Sequence, residues 1–501
     1  MTWLSHHNVR FGSLAGSRRI AAIVASSAIA AGLLSAPTAQ AAPRSGLQGG
    51  LPLPPATLTP VVVPGTTPLG AAAVNLGAAG YTEREFYANG VANRYRGAVG
   101  NTTTNAAVVD GNWPYRTRVL VRTPDRRHFN GTLIVEWTNV TIGVDADFVF
   151  AEAHADMLRL GYAYAVVSAQ KVGVDRLKSW SPNRYGALSV DASNVDPQTG
   201  GNLDACGPSA CAGDPLSWDV FTGVSEALKV NSGPNAPFPG LKIQNVIATG
   251  QSQSAGRLTS YYNAIQPIYH FFDGFVFWDK ASAVLRPEVA TPSVSVNSEG
   301  LTPFRPSFGT STFSREWEVA GSTHGSTIAQ HYVDAMFDRD KSLIGPNGQP
   351  QSFTQWVEPS CQVLPAFSPV PNGQVVAAAT ESVKKWIEKG QPAAPSIYFD
   401  RDANGQMLRD ADGNVKGGIR LSEFAAPTSK LSALNGTAFP CSVSGWHQDY
   451  TAQELKALYG NHARYVAKVA SAETAAAASN YLLGYDAAAT VKEAARSSVG
   501  R

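Results

Sequence analysis

The sequence predicts an α/β fold: a mostly parallel central sheet with helices on both faces, N-terminal antiparallel strands and an extended C-terminal region. Three observations carry this. Brief apolar or β-branched runs recur through the middle of the chain, namely "TRVLVRT", "GTLIVEWTNV", "AYAVVSAQ", "NVIATG", "GFVFW" and "PSVSVNSE". Between several of them lie segments of helical periodicity, such as "DFVFAEAHADMLRLGY" and "SWDVFTGVSEALKV". Buried strands alternating with amphipathic helices need cover on both sides of the sheet. The chain is also long enough to bury a large core, with 501 residues, 44% hydrophobic and 16% charged.

The elements follow in order. Residues 1–41 read as an export signal, with Arg18-Arg19, an Ala-rich apolar stretch and a small-residue end at Ala39-Gln40-Ala41. The arginine pair hints at the twin-arginine route, with Sec export open, and places the mature protein in the periplasm, the cell envelope or outside the cell. Without that segment, 37 basic residues face 38 acidic ones, so no field favours nucleic acid. No later apolar run is long enough to span a bilayer. Residues 42–70 are rich in Pro, Ala and Thr and read as a linker or arm. "TEREFYANGVANRYRG" reads as a hairpin turning at Asn89-Gly90. The body then runs over residues 71–501, with a C-terminal extension or cap from about residue 341.

Four cysteines suit an oxidising compartment. Cys206–Cys211 and Cys361–Cys441 are the favoured pairs, because a short loop closes most easily. Zinc is the alternative, but no CxxC supports it. Asp400-Arg-Asp402-Ala-Asn404-Gly405 opens like a calcium loop, yet Ala411 stands at the twelfth place, so two successive turns are the simpler account. Trp137, Trp180 and Trp218 read as core residues, with a substrate wall as the lesser reading.

The chemistry centres on "NVIATGQSQSAGRL". The apolar run Val246-Ile247-Ala248 supplies a strand and "SAGRLTSYYNAI" a helix, with Ser252 at the turn between them. A nucleophile elbow needs small residues two before and two after the serine; Gly250 fills the first place and Ser254 the second. Ser225 lies inside a helical pattern and Ser209 between two cysteines, so neither has the preceding strand. A serine hydroxyl needs a base, and the base a carboxylate. His324 follows the strand "REWEVAG" in a small-residue turn. His270, His331 and His447 lack that setting or fall in a helical stretch. Two acids end strands: Glu299 closes "PSVSVNSE" and Asp279 closes "GFVFWD".

The ordered set "GTLIVEWTNVT", "GYAYAVVSAQKVGV", "WDVFTGVSEAL", "VIATGQSQSAGRL", "VNSEG", "REWEVAGSTH" and "KKWIEKG" resembles the alpha/beta hydrolase domain family of exported bacterial proteins, over nearly all of the chain after about residue 75. The resemblance implies an α/β-hydrolase fold, a nucleophile at Ser252, an acid at Glu299 and a base at His324. The activity expected of such a triad is cleavage of a carboxylic ester, small or lipid-like, through an acyl-enzyme, without metal or cofactor. An acyltransferase with the same triad, or a non-catalytic binding protein on the same fold, is the alternative. The oxyanion hole is expected from the Gln253 N–H and one from Asn139, Val140 or Thr141, at the end of "TLIVEWTNVT".

Overall fold

The computed structural model describes residues 51–204, 213–280, 283–304 and 311–501. The signal segment, the start of the linker and the Cys206–Cys211 pair lie outside the described residues. Nine strands form one sheet: β1 (Ala56–Pro60), β2 (Tyr81–Arg96), β3 (Ala107–Pro124), β4 (Thr132–Trp137), β5 (Ala163–Val167), β6 (Asn245–Gln251), β7 (Gly274–Trp278), β8 (Ser293–Ser298) and β9 (Ser314–Val319). Their spatial order is β1-β2-β3-β5-β4-β6-β7-β8-β9. The contacts β1–β2, β2–β3 and β3–β5 are antiparallel, and every contact from β5 onward is parallel.

Strands β4 to β8 are buried at every position. Side chains alternate between faces along a strand, so full burial requires cover on both. The cover comes from α1 (Phe148–Arg159), α2 (Ser217–Val230), α3 (Gln253–Ala264) and, later in the chain, α6 (Asn372–Lys389), while α4 (Thr327–Asp340) packs on α1 and the short α5 (Phe353–Val357) on α4. Helices α1 and α6 pack together against β6 to β8, while α2 and α3 meet through the Phe221 and Tyr261 rings, 6.0 Å apart. Trp137 and Trp218 are fully buried between the sheet and α2, with centroids 5.8 Å apart, and so are core residues.

Two expectations are corrected. The segment around Asn89-Gly90 does not turn: β2 runs unbroken for 16 residues and pairs along its length with β3. Gly90 serves close approach instead, since a Cβ there would sit 2.6 Å from both the Pro55 carbonyl oxygen and the Tyr115 hydroxyl. Within the segment read as a linker, Ala56–Pro60 is the edge strand, paired antiparallel with Phe86 to Gly90. Pro60, without a backbone N–H, is tolerated at such an edge.

Past β9 the chain forms α4 to α6, a two-stranded sheet of β10 (Ser429–Ser432) and β11 (Trp446–Asp449), and C-terminal helices. The Asp402 and Asp410 carboxylates each accept two backbone N–H groups, from Asn404 and Gln406 and from Asp412 and Asn414. These are side-chain-closed turns of the expected kind. Cys361 and Cys441 form a disulfide across 80 residues, as the favoured pairing has it. Among the described residues no helix is long and apolar enough to cross a membrane.

Helices α1 and α6 approach closely at Gly373. A Cβ on Gly373 would stand 1.9 Å from the Glu152 carbonyl oxygen and 2.6 Å from its carbon, both backbone. Gly373→Ala should therefore lower the denaturation free energy by about 1–3 kcal/mol, read from the urea midpoint, because two helices must move apart.

Candidate active site

The site is built at the carboxyl ends of β6, β7 and β9. Ser252 stands between β6 and α3 with φ 58° and ψ −117°, a conformation that side chains rarely adopt. Local bonds hold it there. The Ser252 N–H donates to the Trp278 carbonyl at 3.0 Å, extending the β6–β7 ladder, and its own carbonyl accepts from Gly256 at 2.9 Å. Gly250 leaves room for the turn: a Cβ there would lie 3.0 Å from both Leu258 Cδ1 and Ser254 Oγ. Ser254 does more than stay small. Its Oγ accepts the Gln251 N–H at 3.0 Å and donates to the Gln251 carbonyl at 2.9 Å, closing the turn around Ser252.

His324 lies in the loop after β9. Its Nδ1–H donates to Asp279 Oδ2 at 2.7 Å, which leaves Nε2 as the acceptor nitrogen. Asp279 directly follows β7, has φ 54° and is fully buried. The Ser298 N–H and Oγ–H also donate to it, at 2.5 and 2.6 Å. Three donors thus hold and orient the carboxylate.

Glu299 does not touch His324, contrary to the expectation. Its Oε2 accepts the Gly321 N–H at 2.8 Å, and its Oε1 pairs with Arg409 at 2.8 Å. It braces the turn that leads into the histidine loop. The reason is geometric: β7 and β8 are adjacent and parallel, so Asp279 and Glu299 leave the same sheet edge side by side. The histidine loop, which follows β9, reaches back past β8 toward the Ser252 turn and bonds Asp279 on the strand beside β6, while Glu299 is held by Gly321 and Arg409.

Two side chains that sequence reasoning missed also meet the histidine loop. Gln251 Nε2 is 3.1 Å from His324 Nε2 and 3.4 Å from Nδ1. Cε1 stands between those nitrogens, so an atom this close to both lies over the ring face, not in its plane. The same amide donates to the His324 carbonyl at 3.1 Å, while Gln251 Oε1 accepts from Asn139 Nδ2 at 3.1 Å. Glu152, on α1, accepts the Ser326 N–H at 2.6 Å and its Oγ–H at 2.8 Å. Ser326 in turn caps α4, two residues after His324. The strand-turn-helix pattern around Ser252 marks Gln251 as an elbow residue, but no local signal shows that its side chain turns toward a loop 73 residues away.

The expected oxyanion donors sort by their bonds. Asn139 and Thr141 line the cavity above Ser252. The Asn139 N–H donates to the Ala146 carbonyl at 3.0 Å, and the Thr141 N–H to Asn139 Oδ1 at 2.8 Å. The Val140 and Gln253 N–H groups have no partner among the described hydrogen bonds. Ser252, His324, Gln251 and Asn139 line the cavity together with a run of aromatic and aliphatic side chains. His331, on α4, His270, which ends a helical turn, and His447, bonded to the Phe367 carbonyl at 2.8 Å, are not among its lining residues. Ser225 is buried in α2, its hydroxyl donating to the Phe221 carbonyl at 2.7 Å. Among the described residues no cluster of His, Cys, Asp or Glu could hold a metal ion.

A family model described as an alpha/beta hydrolase domain matches residues 51–492. No curated protein matches the chain. Among solved structures, a ligand-bound form of the rice cell wall degrading esterase LipA from Xanthomonas oryzae shares 11% identity at a TM-score of 0.23, over 45% of this chain and 50% of that one. Another crystal structure of the same Xanthomonas esterase shares 10% identity at a TM-score of 0.21, over 40% and 43%. This chain therefore spans half or less of those structures, and the site rests on its own geometry.

Burial pushes the Glu152 carboxyl up from an ordinary 4.5 to about 7, with the nearby Asp279 charge adding to the shift. Folded protein thus keeps a proton that the unfolded chain releases above the ordinary value. Stability from this group is fully present below pH 4.5 and is lost as the pH rises through about 7. Glu152→Gln should flatten that part of the pH profile: the drop in Tm between pH 5 and 7.5 should be smaller than in wild type. The difference corresponds to at most about 3 kcal/mol.

Proposed function

The chain belongs to the alpha/beta hydrolase domain family, and from that premise we propose that it is a serine hydrolase cleaving a carboxylic ester, with Ser252 as nucleophile, His324 as base and Asp279 as the acid. The observation that supports this best is the 2.7 Å bond from His324 Nδ1 to the buried Asp279, made in the same cavity as a serine on a strained strand-to-helix turn. Glu299, which the family resemblance favoured for the acid, is assigned the bracing role instead.

In the proposed reaction, Ser252 Oγ attacks the ester carbonyl and His324 Nε2 takes its proton. A tetrahedral oxyanion forms, facing the Gln253 N–H and an N–H of the 139–141 loop, for which Val140 is the candidate with an unengaged group. Collapse breaks the bond to the alcohol, which leaves with the proton from His324. Water then attacks the acyl-enzyme, gives its proton to His324, and releases the acid as Ser252 Oγ is reprotonated. Asp279 fixes the tautomer and stabilises the imidazolium in both halves. Export of the mature chain is part of the proposal, supported by the N-terminal sequence and by the Cys361–Cys441 disulfide.

Ser252→Ala should abolish both p-nitrophenyl ester hydrolysis and fluorophosphonate labelling while circular dichroism stays unchanged. Full labelling in that variant would refute the nucleophile. Asp279→Asn should cut kcat by about three to four orders of magnitude with KM far less affected, as expected when the histidine is held in the wrong tautomer. Glu299→Gln should reduce kcat much less. The reverse ranking would return the acid to Glu299.

A further inference from the structure

The cavity at Ser252 is divided by chemistry. Its polar lining residues lie around the serine and histidine, except Ser444, whose hydroxyl is turned to the Pro440 carbonyl at 3.0 Å. Among the described residues no Asp, Glu, Lys or Arg lines the cavity. Four of the lining rings form a chain in contact. Phe148 and Phe353 lie 5.7 Å apart, Phe353 and Trp356 stack at 5.8 Å, and Trp356 meets the Phe439 ring edge-on at 5.9 Å.

The apolar character continues outward. Phe439 is 59% exposed and Leu364 50% exposed. Both lie on the two segments that the Cys361–Cys441 disulfide joins. Asn435 ties those segments a second time, its Oδ1 accepting the Gln362 and Val363 N–H groups at 3.1 and 3.0 Å. Phe439 both lines the cavity and reaches solvent, so the apolar wall continues to the surface.

Resting on the serine-hydrolase reading above, we infer that the substrate is an ester with an uncharged apolar arm, seated along the Phe148–Phe353–Trp356–Phe439 wall and leaving past Phe439. The disulfide holds two parts of that wall together. A charged or strongly hydrated arm would lose its water against three phenyl rings that offer no hydrogen bond and a Trp356 indole that offers a single donor and no acceptor. An apolar arm gains contact with each added methylene. The arm is the acyl chain or the alcohol, and the chemistry of the wall is the same for both.

The test uses two fluorophosphonates of equal length, one with an alkyl chain and one with a polyethylene glycol chain, on the full-length mature protein. Labelling of Ser252 by the alkyl probe should be at least about tenfold faster. Phe439→Ser changes a mostly exposed residue and should shrink that ratio, as should the Cys361→Ser/Cys441→Ser double variant. Equal rates, or a faster polyethylene glycol probe, would overturn the inference while leaving Ser252 as the nucleophile. Absence of labelling by both probes would overturn the serine-hydrolase reading itself, and this inference with it. Two p-nitrophenyl-free ester series, one lengthening the acyl chain and one the alcohol, then tell which half of the ester occupies the wall: kcat/KM rises with apolar length in the series that does. No rise in either series would also overturn the inference.

Discussion

The backbone at Ser252 is the constraint on which the rest of the site depends. A serine at φ 58° and ψ −117° costs on the order of 1–3 kcal/mol and persists only where its surroundings over-determine it. Here they do. The β6–β7 ladder fixes the entry through Trp278, α3 fixes the exit through Gly256, and Ser254 binds both the N–H and the carbonyl of Gln251. Asn139 Nδ2 adds a further donor to the same carbonyl at 2.9 Å. The turn thus lifts the serine hydroxyl off the sheet edge, and its strands are buried deeply enough to bear the strain.

The histidine is positioned by a different means, because it sits on a loop and not on an element. Asp279 holds Nδ1, the Gln251 amide lies against the ring face, and Gln251 also binds the loop's own carbonyl. Glu152 secures the loop's exit through Ser326, and Glu299 secures its entry through Gly321. Each of these carboxylates is buried and bonded, as the cost of burying a charge demands. Several acids around one histidine loop therefore have separate duties, and only Asp279 touches the ring.

The parts legible in the sequence were local. The strand, small-residue turn and helix around Ser252 all fall within about twenty consecutive residues, so the pattern and the chemistry coincide. The order of alternating strands and helices gave the parallel sheet for the same reason. The acid was not local. Asp279 and Glu299 both follow apolar strands that end at one sheet edge, and only the position of His324 separates them. Gly90 misled because a glycine after an asparagine signals a turn, whereas here the missing side chain admits Tyr115 and Pro55 against a straight strand. The Gln251–His324 contact could not be read at all, since it joins distant segments through a side chain whose neighbours in sequence reveal nothing of its direction.

The aromatic wall and His324 are also parts of one structure. Val443 lines the cavity beside the rings, and its carbonyl accepts the His324 N–H at 2.9 Å. The disulfide partner Cys441 is two residues away and fully buried. A displacement of the stapled segment would therefore move the wall and pull on the histidine loop together. Under the proposed reading, contact between an apolar substrate arm and the wall would bear on the segment that holds His324, so that binding far from the ester bond and placement of the proposed proton acceptor would share a single length of backbone.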